Sequence, residues 1–252
     1  MVAATDPPGA DSAAATRNPS AAEAGAEAGA ARFRGLLGPL LALLAVTLLA
    51  FAFAHLASEV LEGDTRSFDT ALLQAAQAFR LHHPWVTSVM RDLSGLGSAA
   101  VLSLFTLATA GYLLLLSAPR TALIVVLSAL TGTVANSMLK SVFDRSRPPR
   151  DFADHVLPSL SFPSGHASMS ALVFLTLGAL FATTRVAYRE RIYIVSAAAI
   201  LAGLVGLSRV MLGVHWATDV LGGWAFGAGW AMLWLLLARR FATEDPVRRR
   251  WN

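Results

Sequence analysis

Long blocks that are apolar nearly throughout, not short alternating runs, organise this chain. They run roughly over Leu36 to Leu56, Gly97 to Ser117, Thr121 to Leu139, Ala167 to Thr184, Ile192 to Leu207 and Val220 to Ala238. A bilayer core takes about 20 such residues per helix, so the pattern predicts an all-α polytopic membrane protein, six transmembrane helices in a bundle. The fifth block is short, and its helix is read as extending through Arg209. In the segment between the first two blocks, Ala57 to Leu96, Phe68, Leu72, Ala75 and Phe79 recur at spacings of four, three and four. That periodicity puts them on one face of a helix, which either lies along the outer membrane surface or packs as a re-entrant helix.

The beginning of the chain breaks the pattern, being Ala, Gly, Pro and Glu with no large apolar residue between Val2 and residue 30. Such a stretch buries too little surface to offset the entropy of ordering. Residues 1–34 are therefore read as a disordered cytoplasmic tail, 35–240 as the six-span domain and 241–252 as a basic cytoplasmic tail. A cleaved signal peptide fits poorly, because the first apolar run arrives late and is long enough to span.

Composition sharpens this picture without changing it: 252 residues, 55% hydrophobic, 14% charged. The absence of cysteine excludes disulfides and thiolate metal sites. Of the twenty Lys and Arg, twelve, including Arg32, Arg34, Arg120, Arg185, Arg189, Arg239 and Arg248, fall on the side shared by the two termini. The excess predicts that both termini are cytoplasmic and the longer loops face outward. A formal charge of +4 then reflects a basic rim near anionic headgroups, and nucleic acid is not an expected partner.

Three polar clusters stand at the outward ends of apolar blocks: KSVFDRSRPP from Lys140 to Pro149, PSGH from Pro163 to His166, and SRVMLGVHWATD from Ser208 to Asp219. Ionisable groups at membrane depth are costly and line cavities or pathways. Pro163, Ser164 and Gly165 suit the entry of a helix, where unpaired amides and a positive dipole end receive anions, and His166 follows within the first turn. His215 and Asp219, four apart, share a helix face. A carboxylate there can hold one imidazole nitrogen and leave the other as nucleophile or base. Lys140, Arg147 and Arg209 add three cations, two of them guanidinium forks that match phosphate oxygens. Phosphoryl transfer needs such a set, since its catalysis is mostly positioning and charge neutralisation.

These clusters resemble the signature of the type 2 phosphatidic acid phosphatase (PAP2) superfamily, K-x6-R-P, P-S-G-H and S-R-x5-H-x3-D, in order and spacing, over about a third of the chain. The resemblance implies a metal-independent, cofactor-free enzyme with an extracytoplasmic active site that acts on a lipid phosphate in the membrane through a phosphohistidine. His215 would be the nucleophile, Asp219 its orienting carboxylate, and His166 the acid that protonates the leaving oxygen and then activates water. Lys140, Arg147, Ser164, Gly165 and Arg209 would bind the phosphoryl oxygens. Candidate substrates are a polyprenyl diphosphate, phosphatidylglycerophosphate, phosphatidic acid or a lipid A phosphate. Transfer to an acceptor other than water, oxidation as in the related soluble vanadium haloperoxidases, and non-catalytic binding or translocation of a lipid phosphate stand as alternatives. The His215 and Asp219 pair speaks against the last, since binding alone needs no nucleophile.

His55, His82, His83 and His155 read as solvated or headgroup-contacting, and Asp144, Asp151 and Asp154 as loop charges. Trp216, Trp224, Trp230 and Trp234 read as interfacial anchors and packing. The motifs leave the oligomeric state open.

Overall fold

The computed structural model describes the backbone of residues 21–153 and 159–241 and the side chains of residues 37–153 and 159–238. Asp154, His155 and the tail beyond residue 241 lie outside the described residues. Among those described there are eight helices: α1 (Ala21–Glu62), α2 (Arg66–His82), α3 (Trp85–Gly95), α4 (Ala99–Leu115), α5 (Pro119–Phe143), α6 (Gly165–Thr183), α7 (Tyr188–Met211) and α8 (Ala217–Phe241). The chain divides into two units, Met1–Leu40 and Leu41–Asn252, and every candidate residue lies in the second. In the first, the expected tail lies outside the described residues up to residue 20, and from Ala21 the backbone is helical, over a run rich in Ala and Glu, both strong helix formers.

Among the described residues, six helical stretches are long and apolar enough to cross a membrane: Leu37–Glu62, Trp85–Leu115, Pro119–Phe143, Gly165–Thr183, Tyr188–Met211 and Ala217–Ala238. They match the six apolar blocks, with one difference. The second begins at Trp85, twelve residues before the Gly97 that sequence suggests, because α3 and α4 run on through a break at Leu96–Ser98. Ser98 starts α4 by accepting a hydrogen bond from the Val101 amide at 3.4 Å. The polar residues of α3, among them Arg91, Asp92 and Ser94, hide this extension from a hydropathy reading.

At the centre stands α6, buried along most of its length from Ala167 to Ala182 and packed against α4, α5, α7 and α8. Lipid tails are as apolar as leucine, so close van der Waals packing holds such helices together, and small residues permit it. A Cβ on Gly178 would lie 2.7 Å from Ala198 of α7, and one on Gly227 would lie 2.1 Å from the Ser168 carbonyl oxygen. The outward faces of α4 and α5 carry exposed leucines such as Leu104, Leu107, Leu123 and Leu130, as lipid contact requires.

The segment between α1 and α4 holds the predicted amphipathic helix as α2. Its stripe of Phe68, Leu72, Ala75 and Phe79 is exposed, while Asp69, Leu73 and Ala76, one residue out of phase, are buried toward the bundle. The helix therefore packs on the bundle through this second face, against α7 and α8, while its apolar stripe faces outward.

Candidate active site

At Asp144, in the left-handed region with φ 44°, α5 ends; aspartate tolerates that conformation better than most side chains. The turn sends Arg145 and Arg147 back over the start of α8. Across from them α6 begins at Ser164, reached through a cis Phe162–Pro163 bond and tied to α8 by the Ser164 amide donating to the Asp219 carbonyl at 2.9 Å. Beyond α7, the chain turns at Gly213 (φ 71°), where any Cβ would meet the Phe152 carbonyl oxygen at 1.9 Å. Only glycine allows this close crossing, and it delivers His215 to the same place. Helix α2 braces the crossing strand, Gln77 donating to the Asp151 carbonyl and Arg80 to that of Phe152, both at 2.7 Å.

His215 and Asp219 are both buried, with Nδ1 to Oδ2 at 3.2 Å. Arg147 Nη1 lies 3.1 Å from Nε2 of the same ring. A guanidinium only donates, so Nε2 accepts, and the ring proton sits on Nδ1, donated to Asp219. Burial pushes the His215 imidazole down to about 4, against the raising pull of Asp219 and with Arg147 and Arg209 adding to the push. Near pH 7 the ring is thus neutral, with its Nε2 lone pair directed at a cation. Asp219 Oδ2 also accepts from the Trp216 amide at 2.9 Å and from the Ser161 hydroxyl, while Oδ1 accepts from Arg145 at 2.7 Å.

The three motif cations have no carboxylate partner among the described residues. Lys140 Nζ donates to the Leu160 carbonyl at 2.6 Å. Arg147 donates to the Ser159 and Val214 carbonyls, each at 2.6 Å, and to the Ser159 hydroxyl at 2.8 Å. Arg209, from the last turn of α7, donates to the hydroxyl of Ser94 on α3. Burial lowers the pKa of Arg147 against the raising pull of the Asp219 carboxylate.

Among the described residues, two donors here are left without partners. Ser164 stands at the N-cap of α6, yet its hydroxyl makes no capping bond; its Oγ and the Nε of Arg209 are buried and unpaired. A buried unsatisfied donor costs about 1–3 kcal/mol, a cost that an arriving acceptor removes. A Cβ on Gly165 would meet nothing nearer than Asn136 Nδ2 at 3.6 Å and Lys140 Cε at 3.9 Å, so protein packing does not demand the glycine. His166 lies at the rim, half-buried. Its ring abuts Gly97, in the α3–α4 break, where a Cβ would come within 3.3 Å of His166 Cδ2 and 2.3 Å of Val205.

Sequence reasoning singled out Lys140, Arg147, Ser164, Gly165, Arg209, His215 and Asp219; the structure gathers them at one end of the bundle, where α5 and α7 finish and α6 and α8 begin, with His166 in the first turn of α6. It missed Ser94, Ser159, Ser161, Thr218, Asp69 and Arg145, which hold those side chains in place. Arg145 carried a signal, a second arginine inside the first motif; Asp69 sits in phase with Leu73 and Ala76. The uninvolved histidines have local roles: His82 and His83 bond to carbonyls four residues back, and His55 faces Glu59 at 3.5 Å. Of the tryptophans, Trp216 donates to the Ser146 carbonyl and Trp224 to that of Ala202.

Among the described residues, buried donors without partners and cations without carboxylate partners thus stand about a neutral imidazole whose Nε2 is an acceptor, chemistry suited to an anionic ligand. Residues 121–242 match the model of the PAP2 superfamily. Phosphatidylglycerophosphatase B of Bacillus subtilis is 36% identical over 203 residues, 78% of this chain and 93% of the relative. Decaprenylphosphoryl-5-phosphoribose phosphatase of Mycolicibacterium smegmatis is 36% identical over 158 residues, 62% of this chain and 81% of that one. Among solved structures, the transmembrane PAP2-type phosphatidylglycerolphosphate phosphatase of Bacillus subtilis superposes with a TM-score of 0.70 at 30% identity, covering 79% of this chain and 98% of its own.

Proposed function

The chain belongs to the PAP2 superfamily and is a multi-pass membrane lipid phosphatase; we propose that it hydrolyses a lipid phosphomonoester or diphosphate through a phosphohistidine on His215, on the extracytoplasmic side. One observation carries the reading: among the described residues Lys140, Arg147 and Arg209 stand without carboxylate partners about the His215–Asp219 pair, Arg147 on the accepting Nε2, and the buried Ser164 hydroxyl is unpaired. A phosphoryl group entering there would meet Lys140, both arginines, Ser164 and the first amides of α6. It would also draw Arg147 off Nε2.

Nε2 then attacks phosphorus in line. As the P–O bond to the lipid breaks, the leaving oxygen takes a proton from His166. Positive charge grows on the imidazole and is balanced by Asp219, which keeps its bond to Nδ1–H. In the second half, His166 takes a proton from water, the hydroxide attacks phosphorus, the N–P bond breaks and inorganic phosphate departs. The three cations offset the charge of the equatorial oxygens throughout, the role that dominates phosphoryl transfer. No metal is called on.

Phosphatidylglycerophosphate is the first substrate to test, because the relative matched over 93% of its length bears that name; polyprenyl diphosphate and phosphatidic acid follow. Purified protein is to be assayed against this panel for inorganic phosphate released. His215→Ala is expected to lower turnover on the order of 10⁴-fold or more while eluting as folded protein. Full activity in that variant overturns the nucleophile, and lipid dephosphorylated without free phosphate points to transfer onto another acceptor.

A further inference from the structure

Asp69 belongs to α2, outside all three motifs, yet it is as deeply buried as Asp219. Its Oδ2 accepts from Arg145 Nη2 and from the Thr218 hydroxyl, each at 2.7 Å, and its Oδ1 accepts from the Thr218 amide at 3.0 Å. The last bond places a carboxylate on the first turn of α8, where unpaired amides and the helix dipole favour it. Arg145 spans the gap to the reactive pair: Nη1 donates to Asp219 Oδ1 and to Thr218 Oγ1, each at 2.7 Å, while Nη2 donates to Asp69 and, at 3.3 Å, to Thr65. One planar fork thus joins two buried carboxylates. Arg66 stands over the Trp216 ring at 5.4 Å from its centroid and Arg145 at 5.5 Å; the charged groups in and beside this network are Asp69, Asp219, Arg145 and Arg66, with the neutral ring of His215 against Asp219.

We propose that Asp69 and Arg145 are positioning residues, which clamp the Asp219 carboxylate and through it fix the His215 ring for attack. The inference rests on the reading of His215 as nucleophile. With Oδ1 held by Arg145, only Oδ2 remains for Nδ1 of His215, the Trp216 amide and Ser161, and the carboxylate cannot turn without breaking a charge-assisted bond. Asp69 in turn fixes the guanidinium, whose other edge would otherwise be free to swing toward solvent. The distinction from the phosphate-binding cations lies in partners: Arg145 is neutralised by two carboxylates, whereas Lys140, Arg147 and Arg209 are neutralised by none among the described residues. Loss of the clamp therefore affects the chemical step and leaves substrate binding in place.

Two variants separate positioning from folding. Arg145→Lys keeps the charge but has a single nitrogen that cannot bridge both carboxylates. The double variant Asp69→Asn with Arg145→Met removes both charges together, so neither is left buried alone. Each is to be purified, checked for monodisperse elution and assayed for kcat and KM, with His215→Ala and wild type alongside. The expected result is a fall in kcat of about 100-fold, the scale of a misplacement near 1 Å, with KM little changed and inactive His215→Ala. Wild-type kcat in either folded variant, or a loss confined to KM, overturns the clamp while leaving the nucleophile standing if His215→Ala is dead. An active His215→Ala overturns both.

Discussion

Four basic side chains gather about the His215–Asp219 pair, and their partners divide the labour among them. Arg145 spends its donors mainly on Asp69 and Asp219, whereas among the described residues Arg147, Lys140 and Arg209 hold only neutral oxygens and a ring nitrogen. Glycine at 165 admits a similar distinction. A side chain there would be in ordinary contact with Asn136 and Lys140, so Gly165→Ala should leave the melting temperature unchanged. Its methyl would occupy the space in which a phosphoryl oxygen approaches the α6 amides, and kcat/KM should fall on the order of 10²-fold, the worth of one such donor. Thermal unfolding and turnover measured on the same preparation check both halves. The residues of this site were legible as types and spacings in the sequence, since each motif is local. Asp69 was not, because nothing in a linear reading relates an acid at 69 to a carboxylate 150 positions on.

At the level of helices, breaks and out-of-phase faces do the placing. The interruption of α3 and α4 brings Gly97 against His166 and Val205. Gly97→Ala should therefore behave oppositely to Gly165→Ala. Overpacking of this kind costs about 1–3 kcal/mol, and it also displaces the half-buried His166 ring; a lowered melting temperature together with reduced turnover is expected, and an unperturbed variant would contradict this account. On α2 the helical period was plain from Phe68, Leu72, Ala75 and Phe79, yet the face that packs is Asp69, Leu73 and Ala76. Sequence could not choose between the two stripes. In water the larger apolar stripe turns inward, but beside a bilayer an apolar stripe is equally at home outside, and a buried acid with its own arginine can occupy the inner one.

For the whole molecule, the arginine-rich loops and termini set a sidedness: with twelve of twenty basic residues on the side of the termini, the loop bearing Arg145 and Arg147 is expected to face outward. A single cysteine introduced in place of exposed Arg150, in a chain with none of its own, should react with a membrane-impermeant maleimide in intact cells; labelling only after lysis would reverse the orientation. Six spans and three reactive clusters were determined by the sequence alone, because a bilayer demands long apolar runs and phosphoryl chemistry demands particular side chains at short, fixed spacings. The twelve-residue extension of the second span, the outward turn of the α2 stripe and the clamp from Asp69 through Arg145 to Asp219 were decided by tertiary structure. The last two are pairings between helices distant along the chain, settled by which buried charge finds a partner, and the first by how two consecutive helices run on through a break; none is written in the hydropathy of any one segment.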